Sequence, residues 1–372
     1  MDRIKEHRRK KGLGGKGPEE QYAFFDSLVS NAIDFLSRSV LDLQPRPKYS
    51  IMHFCSGLEL FLKARLLQEH WSLILKKPED ASFKQFQNGD FSSVTMEDAL
   101  RRLQNVTGES FPPEELACFK RIRDHRNKVV HFFHTAYATK ASKKLLEEIA
   151  AEQCKAWFYL HRRIRHPWRE HFHHYQAQIE KLNDKLHRYR VFLKAKFGAL
   201  KPEIAKAMAT GIEFERCMSC GFQSRRIKQI IEPSFEADCL VCAAHRSFLR
   251  LPCSNCNEHT EVDDLVSAVC SNEACDSPIT LRDVMEKYAP SYDHRDGDES
   301  PLMYCAGCAH PDESVIPLGD GLFCVMCRSW HKSCEQCNYC GMNLVGFDPH
   351  LSGLYGCFLC EHAARDHFDR LP

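Results

Sequence analysis

Sixteen of the 20 cysteines in this 372-residue chain fall into closely spaced pairs in its second half, and this pattern restricts the fold more than any other feature. Two residues separate the cysteines of each pair, except in one pair that is separated by four. Two such pairs that meet supply four soft ligands in a tetrahedral arrangement, so each set of four predicts a bound metal ion. The sets are Cys217, Cys220, Cys239 and Cys242; Cys253, Cys256, Cys270 and Cys275; Cys305, Cys308, Cys324 and Cys327; and Cys337, Cys340, Cys357 and Cys360.

The spacing within these sets is typical of zinc ribbons, and we expect about four structural Zn²⁺ ions. Rubredoxin-type iron also uses four cysteines and is the alternative, but repeated sites with scattered acidic loops favour zinc. A catalytic zinc keeps an open coordination position, whereas every predicted ligand here is a cysteine. The metal ions are therefore expected to hold loops in place.

The ligands of the third site can be assigned in two ways, because His331 and Cys334 lie between the last two sets. A LIM-like arrangement would use these two residues in place of Cys324 and Cys327. The segment GLFCVMC at residues 321–327 contains a complete second pair, which favours the ribbon arrangement. In both arrangements the fourth set of cysteines shares one metal ion.

The two halves of the chain differ in charge. Residues 1–211 contain 38 Lys and Arg against 25 Asp and Glu, a net charge of +13, whereas residues 212–372 contain 13 against 25, a net charge of −12. The basic half is suited to a polyanion, and the acidic half favours a protein partner. We predict four regions: a disordered basic arm at residues 1–18, a helical bundle at residues 19–140, a long basic helical extension at residues 141–211, and tandem zinc ribbons at residues 212–372.

Apolar residues at three- and four-residue spacing predict that the first half is an all-α bundle. The predicted helices include residues 19–43, residues 48–75, a helix that begins after Thr95 and another introduced by Pro112 and Pro113. Asn88-Gly89 predicts a two-residue β-hairpin between them. The predicted fold class is thus an all-α bundle with a helical or coiled-coil extension, followed by small metal-stabilised zinc ribbons.

An apolar seam in the extension predicts a coiled coil of about four heptads. The alternative is a solvated helix that packs back on its own bundle. The seam consists of Phe172, Tyr175, Ile179, Leu182, Leu186, Tyr189, Leu193 and Leu200.

Residues 119–134, FKRIRDHRNKVVHFFH, combine a helical pattern with polar side chains. Arg126 falls on the apolar stripe, and Asn127 and His131 lie one turn apart on the neighbouring face. An arginine directed toward an apolar side is costly unless it is paired or used. In one interpretation Arg126 pairs with a carboxylate such as Glu59 and His131 is a core histidine. In the other, the three polar residues bind an anion and transfer protons.

The order Arg126, Asn127, three further residues and His131 resembles the R-polar-x(3–5)-H motif of the HEPN superfamily. The segments GLELFLKARLL and QNGDF and the order of the helices are also similar to HEPN proteins. The resemblance covers roughly residues 19–140 and does not reach the cysteine-rich half. It implies an all-α bundle that forms a homodimer.

Active HEPN proteins are metal-independent ribonucleases, and the resemblance implies RNA cleavage that leaves a 2′,3′-cyclic phosphate. His131 would transfer protons around the ribose 2′-OH and the leaving 5′-oxygen. Arg126 would hold the scissile phosphate, and Asn127 would position one of these groups. On an ideal helix Arg126 and His131 point roughly 140° apart, so a two-fold dimer is implied to complete the site.

Two functions follow from the resemblance. The first is a regulated toxin, defence or stress endoribonuclease whose zinc ribbons sense or restrain it. The second is a non-catalytic HEPN dimer that acts as an adaptor, with ribbons that recruit a protein or nucleic acid.

The sequence also predicts a compartment. The first 18 residues are basic and rich in glycine with no apolar core, and no run of 18 apolar residues occurs. We therefore expect neither a secretory signal nor a membrane span. The predicted location is therefore the cytoplasm. Cysteines stay reduced there, which favours metal binding over disulfides.

Overall fold

The computed structural model describes residues 18–131, 143–290, 302–350 and 356–368, and its contacts divide the chain into two units, Met1–Glu203 and Ile204–Pro372. The first unit is helical, and the second consists largely of short strands. Each unit has its own buried apolar residues. The predicted basic arm at residues 1–18 lies, except for Pro18, outside the described residues.

Helices form the described part of the first unit, and the last of them continues into the second unit. They are α1 (Pro18–Asp42), α2 (Pro47–Glu69), α3 (Phe83–Asn88), α4 (Met96–Thr107), α5 (Pro113–His131), α6 (Lys143–Arg165), α7 (Gln176–His187) and α8 (Arg190–Ala209). Short 3₁₀ turns at Trp71–Ile74, Pro78–Asp80 and His173–Tyr175 connect some of them.

Helix α2 is the central element of the first unit. It packs against α1, α4, α5 and α6. Its buried residues lie on nearly every side, because the sequence is apolar around most of the helix. Leu58, Phe61 and Leu62 are completely buried, and burial of each such side chain stabilises the fold by about 1.5–3 kcal/mol.

Local capping determines where α3 and α4 begin and end. The Thr95 hydroxyl oxygen accepts a hydrogen bond from the Asp98 backbone N–H at 3.2 Å and caps α4, as the sequence predicts. The predicted β-hairpin at Asn88-Gly89 is wrong. Asn88 ends α3, and Gly89 follows with φ 76°. The preference for positive φ that suits a hairpin turn also suits a helix C-terminus.

The predicted coiled-coil extension is also wrong. Helix α7 ends at His187 and α8 begins at Arg190, so the apolar seam is interrupted. Ile179, Leu182 and Leu186 are buried where α7 packs against α1 and α6 of its own unit. The seam therefore contributes to the core of the first unit, which is the alternative that the sequence left open.

The second unit contains strands and two helices within the described residues. The strands are β1 (Phe214–Arg216), β2 (Gln223–Ile231), β3 (Ser234–Cys239), β4 (His245–Pro252), β5 (His259–Val262), β6 (Tyr304–Cys305), β7 (Val315–Leu318), β8 (Gly321–Cys324), β9 (Trp330–His331), β10 (Cys334–Gln336) and β11 (Asn343–Val345). The helices are α9 (Leu281–Tyr288) and α10 (Phe358–Phe368).

The predicted all-α fold class is wrong for this chain. About half of the chain is helical, and the second unit has a five-stranded antiparallel sheet in the order β1-β2-β3-β4-β5. Two three-stranded sheets, β10-β11-β6 and β7-β8-β9, complete it. The prediction treated the ribbons as separate small modules. Strand β4 instead pairs with both β3 and β5, so one continuous sheet joins the first two cysteine sets.

Arg225 on β2 shows that the five-stranded sheet is curled. Its guanidinium donates to Glu261 on β5 at 2.6 and 2.9 Å and to Glu215 on β1 at 2.8 Å. In a flat sheet β2 and β5 would be about 14 Å apart, which is too far for one arginine–glutamate pair. Arg250 on β4 also donates to Glu215, at 2.7 Å. These ion pairs hold the two edges of the sheet toward each other.

The largest apolar cluster of the second unit joins the curled sheet to β7 and β8. Leu249, Leu251 and Val262 of the sheet pack with Ile316 and Phe323. The third cysteine set therefore lies on strands that share a core with the first two sets.

Across the described residues, the structure contains no helix with the length and apolarity needed to cross a bilayer.

Candidate metal centres and candidate active site

The structure brings each of the four predicted cysteine sets together. Within every set, the four sulfur atoms lie within 4.8 Å of one another. The groups are Cys217, Cys220, Cys239 and Cys242; Cys253, Cys256, Cys270 and Cys275; Cys305, Cys308, Cys324 and Cys327; and Cys337, Cys340, Cys357 and Cys360. Each group offers an all-sulfur site for one metal ion.

The sulfur–sulfur distances fit tetrahedral coordination. Neighbouring sulfur atoms within the sets are 3.5 to 3.9 Å apart. A tetrahedron with metal–sulfur bonds of about 2.3 Å has an edge of about 3.8 Å. A disulfide would instead bring two sulfur atoms to about 2.05 Å, and all sixteen cysteines are free thiols. The four sites can therefore hold four ions without rearrangement.

Six of the cysteine pairs share the same backbone turn. The residue after the second cysteine has φ between 50° and 75°. Its N–H donates to the carbonyl oxygen of the first cysteine at 2.7 to 2.9 Å. Those residues are Gly221, Ala243, Asn257, Ala309, Arg328 and Gly341. The left-handed conformation costs a residue other than glycine about 1–2 kcal/mol. In four of the six turns the residue is not glycine, so the backbone there has a locally unfavourable conformation that the rest of the fold maintains. Bound metal would offset that cost.

Serine hydroxyls lie beside four of the ligand sulfur atoms. Ser224 Oγ is 3.3 Å from Cys239 Sγ, and Ser314 Oγ is 3.6 Å from Cys324 Sγ. Ser329 Oγ is 3.0 Å from Cys327 Sγ, and Ser277 Oγ is 3.2 Å from Cys275 Sγ. Hydroxyl groups that donate to a thiolate stabilise its charge and orient it toward a metal ion. Residue spacing alone gives no signal for these contacts.

The third site has the ribbon arrangement. Cys324 and Cys327 join Cys305 and Cys308, and Cys334 belongs to none of the four groups found among the described residues. The His331 Nε2 atom is 2.8 Å from the Ser329 hydroxyl, which in turn contacts Cys327. His331 is therefore placed to orient a serine next to a ligand, while the LIM-like alternative would make it a ligand.

The predicted catalytic stretch occupies the end of α5, where the side chains of Arg126 and Asn127 are half-buried. The Arg126 guanidinium lies 3.8 Å from Glu59 Oε2 on α2. Glu59 Oε1 also accepts from Lys63 Nζ at 2.6 Å, and Lys63 donates to the Ser93 hydroxyl at 2.8 Å. Two cations thus share one carboxylate at the α2–α5 contact. His131 ends α5, but its side chain lies outside the described residues.

The environment of Arg126 is partly apolar. Burial raises the pKa of the Cys55 thiol, and a hydrogen bond from Arg126 opposes this shift. The side chain of Arg126 is still 31% exposed, so a ligand in solution can reach the guanidinium. The Glu59–Lys63 pair is visible in the sequence as an i, i+4 spacing, whereas the approach of Ser93 is not.

A scan against protein-family models and searches of curated proteins and solved structures found no match to this chain.

Proposed function

We propose that this chain is a metal-independent RNA endonuclease of the HEPN type, in which four structural zinc ions stabilise the C-terminal unit. The observation that carries the proposal is the position of Arg126. It lies five residues before His131 on α5, it is reachable from solvent, and its acidic partner is as far away as 3.8 Å. A phosphate can compete for such a loosely paired guanidinium.

Each predicted catalytic residue has a distinct task in this proposal. The His131 imidazole takes the proton of the ribose 2′-OH or returns one to the leaving 5′-oxygen. The Arg126 guanidinium binds the scissile phosphate and the charge that develops on it. Asn127 positions one of these groups by hydrogen bonding. The 2′-oxygen attacks phosphorus, the bond to the 5′-oxygen breaks, and a 2′,3′-cyclic phosphate remains.

A homodimer completes the proposed site. Five residues on an ideal helix rotate the side-chain direction by roughly 140° between Arg126 and His131. One helix therefore presents the two groups to different sides. Two copies of α5 that face each other across a two-fold axis place the arginine of one copy near the histidine of the other.

Zinc is the metal that we propose for the four cysteine sites. All four have a closed set of sulfur ligands and tetrahedral spacing, which is the usual chemistry of structural zinc. The proposed role of the acidic C-terminal unit is to bind a protein partner or to restrain the nuclease, as in a toxin or defence system. The proposed location is the reducing cytoplasm, where thiolate sites persist.

Variants on α5 test the nuclease. The full-length protein is incubated with RNA in buffer without divalent cations, after its zinc content has been measured. We expect cleavage by the wild type, and loss of about 10²-fold or more in the Arg126→Ala and His131→Ala variants. Arg121→Ala is the matched control, because Arg121 lies on the same helix and pairs with Glu152 at 2.7 Å. Equal cleavage by all four proteins would refute the assignment of these residues.

One observation favours a second candidate, the non-catalytic adaptor. Arg126 already has an acidic partner in Glu59, as expected if the arginine has only a structural role. This candidate predicts a dimer that leaves total RNA intact and whose overexpression is harmless. Intact RNA together with unchanged dimerisation in the Arg126→Ala variant would decide for the adaptor.

A further inference from the structure

A groove of about 230 Å³ lies between α4 and α5, one turn from the Arg126 site. Its floor is apolar, because Met96 and Leu100 are buried and Leu116 is half-buried. Polar side chains surround this floor: Glu97, Arg101 and Gln104 of α4, and Lys120 and Arg123 of α5. An apolar floor with a polar rim suits a planar ligand that carries charge at one side.

The polar rim is only partly neutralised. Arg101 pairs with Asp98 at 2.6 Å, and Arg123 pairs with Glu97 across the groove. In the described part of the chain, the side chains of Lys120 and Gln104 have no hydrogen-bond or ion-pair partner. The groove therefore offers one free ammonium group, which suits an anion, and one free carboxamide, which both donates and accepts.

The position of the groove relates it to the candidate active site. Lys120, Arg123 and Arg126 follow one another at three-residue intervals on α5, so Lys120 lies about 9 Å along the helix axis from Arg126. The two side chains also point roughly 120° apart around the helix, so a strand whose scissile phosphate is at Arg126 reaches Lys120 by passing Arg123, with a phosphate more than one nucleotide away. The excess of basic over acidic residues in residues 1–211 also favours a polyanion over an acidic peptide.

We infer that this groove binds a nucleotide of the RNA strand that flanks the scissile phosphate. The base packs on Met96, Leu100 and Leu116, Gln104 reads the edge of the base, and Lys120 binds a phosphate. The inference rests on the proposed function, since it assumes that the strand reaches Arg126. Gln104 is then a residue that sets base preference, and Lys120 one that contributes affinity for every sequence.

Binding of uncleavable RNA tests the groove separately from the chemistry. Four fluorescent 2′-O-methyl octamers, one for each base, lack the attacking hydroxyl and report binding by anisotropy. We expect Lys120→Gln to weaken binding of all four by about tenfold and to lower the salt dependence by about one charge. Gln104→Leu should change the order of affinities among the four bases. Lys181→Gln, on the exposed face of α7, is the control and should bind like the wild type.

The outcomes separate the two proposals. Octamer binding that is unchanged in both groove variants, or absent in the wild type, overturns the groove assignment. If RNA cleavage depends on Arg126 while the groove variants bind normally, only this inference fails. If the groove variants alter binding while RNA stays intact, the groove stands and the nuclease fails.

Discussion

The Arg126 guanidinium lies 3.8 Å from the Glu59 carboxylate, whose other oxygen accepts from Lys63 at 2.6 Å. This shared carboxylate connects α2 to α5 at the candidate active site. The ion pair with Lys63 is the more buried of the two, because the Lys63 side chain is only 9% exposed. Glu59 therefore contacts both cations, and it would compete with the proposed phosphate for Arg126.

Glu59→Gln should lower the stability of the helical unit by about 1 kcal/mol, since it leaves the buried Lys63 with only a neutral partner. The measurement is urea unfolding followed by helical circular dichroism. Glu69→Gln is the matched control: Glu69 is more exposed, and its partner Arg65 keeps a second contact with Glu109 at 3.0 Å. A midpoint shift of equal size in both variants would show that Glu59 has no special role.

Metal content should follow the ribbon arrangement of the third site. Native mass spectrometry of the full chain should find four zinc ions in the wild type, three in Cys324→Ser and four in Cys334→Ser, because Cys324 and not Cys334 belongs to a four-sulfur group. Loss of an ion from Cys334→Ser with four retained in Cys324→Ser would support the LIM-like arrangement instead.

Arg225→Gln should destabilise the curled sheet by about 2 kcal/mol, because it removes the buried guanidinium that donates to both Glu215 and Glu261 and leaves Glu261 only the longer contacts with Arg250 at 3.4 Å and Arg246 at 3.6 Å. This loss of stability is measured as a faster release of zinc to a chromogenic chelator. The neighbouring variant Arg226→Gln is the control, since Arg226 pairs with Asp238 at 3.7 Å on the exposed surface. Equal zinc-release rates in the two variants would contradict the role of Arg225 in the curl.

His161 on α6 makes stability depend on pH. Burial lowers the pKa of His161 below its ordinary value of 6.5, although Glu180, at 3.0 Å, opposes the shift. The folded state therefore binds fewer protons than the unfolded state between the lowered pKa and 6.5, and the free energy of unfolding decreases as pH falls through that window. Urea midpoints measured from pH 7.5 to 5.0 should decline more in the wild type than in His161→Gln. Parallel declines would contradict the prediction.

Short-range signals in the sequence predicted the parts of the fold that depend on neighbouring residues. The cysteine spacing predicted all four cysteine groups that can hold a metal ion, and Thr95 with Asp98 predicted the start of α4. Asn88-Gly89 misled the prediction because one conformational preference serves two kinds of turn. From the sequence, Arg126 was expected to need an acidic partner, and Glu59 was one carboxylate that could supply it.

Long-range pairing was the part that the sequence could not supply. Arg225 and Glu261 are 36 residues apart, and no local pattern indicates that they meet. For the same reason the sequence did not show that β4 joins two metal sites in one sheet. The seam of α7 was equally uninformative, because Ile179, Leu182 and Leu186 would be buried either in a coiled coil or against the same unit.

The central claim is that one arginine and one histidine cleave RNA through its own 2′-hydroxyl. The most direct measurement compares an RNA substrate with the same RNA carrying a single 2′-deoxy substitution at the cleavage position, in buffer without divalent cations. The account predicts products that end in a 2′,3′-cyclic phosphate, loss of that cut in the substituted RNA, and loss of cleavage in Arg126→Ala and His131→Ala. Cleavage of the substituted RNA at the same position, or full activity in both variants, would contradict it.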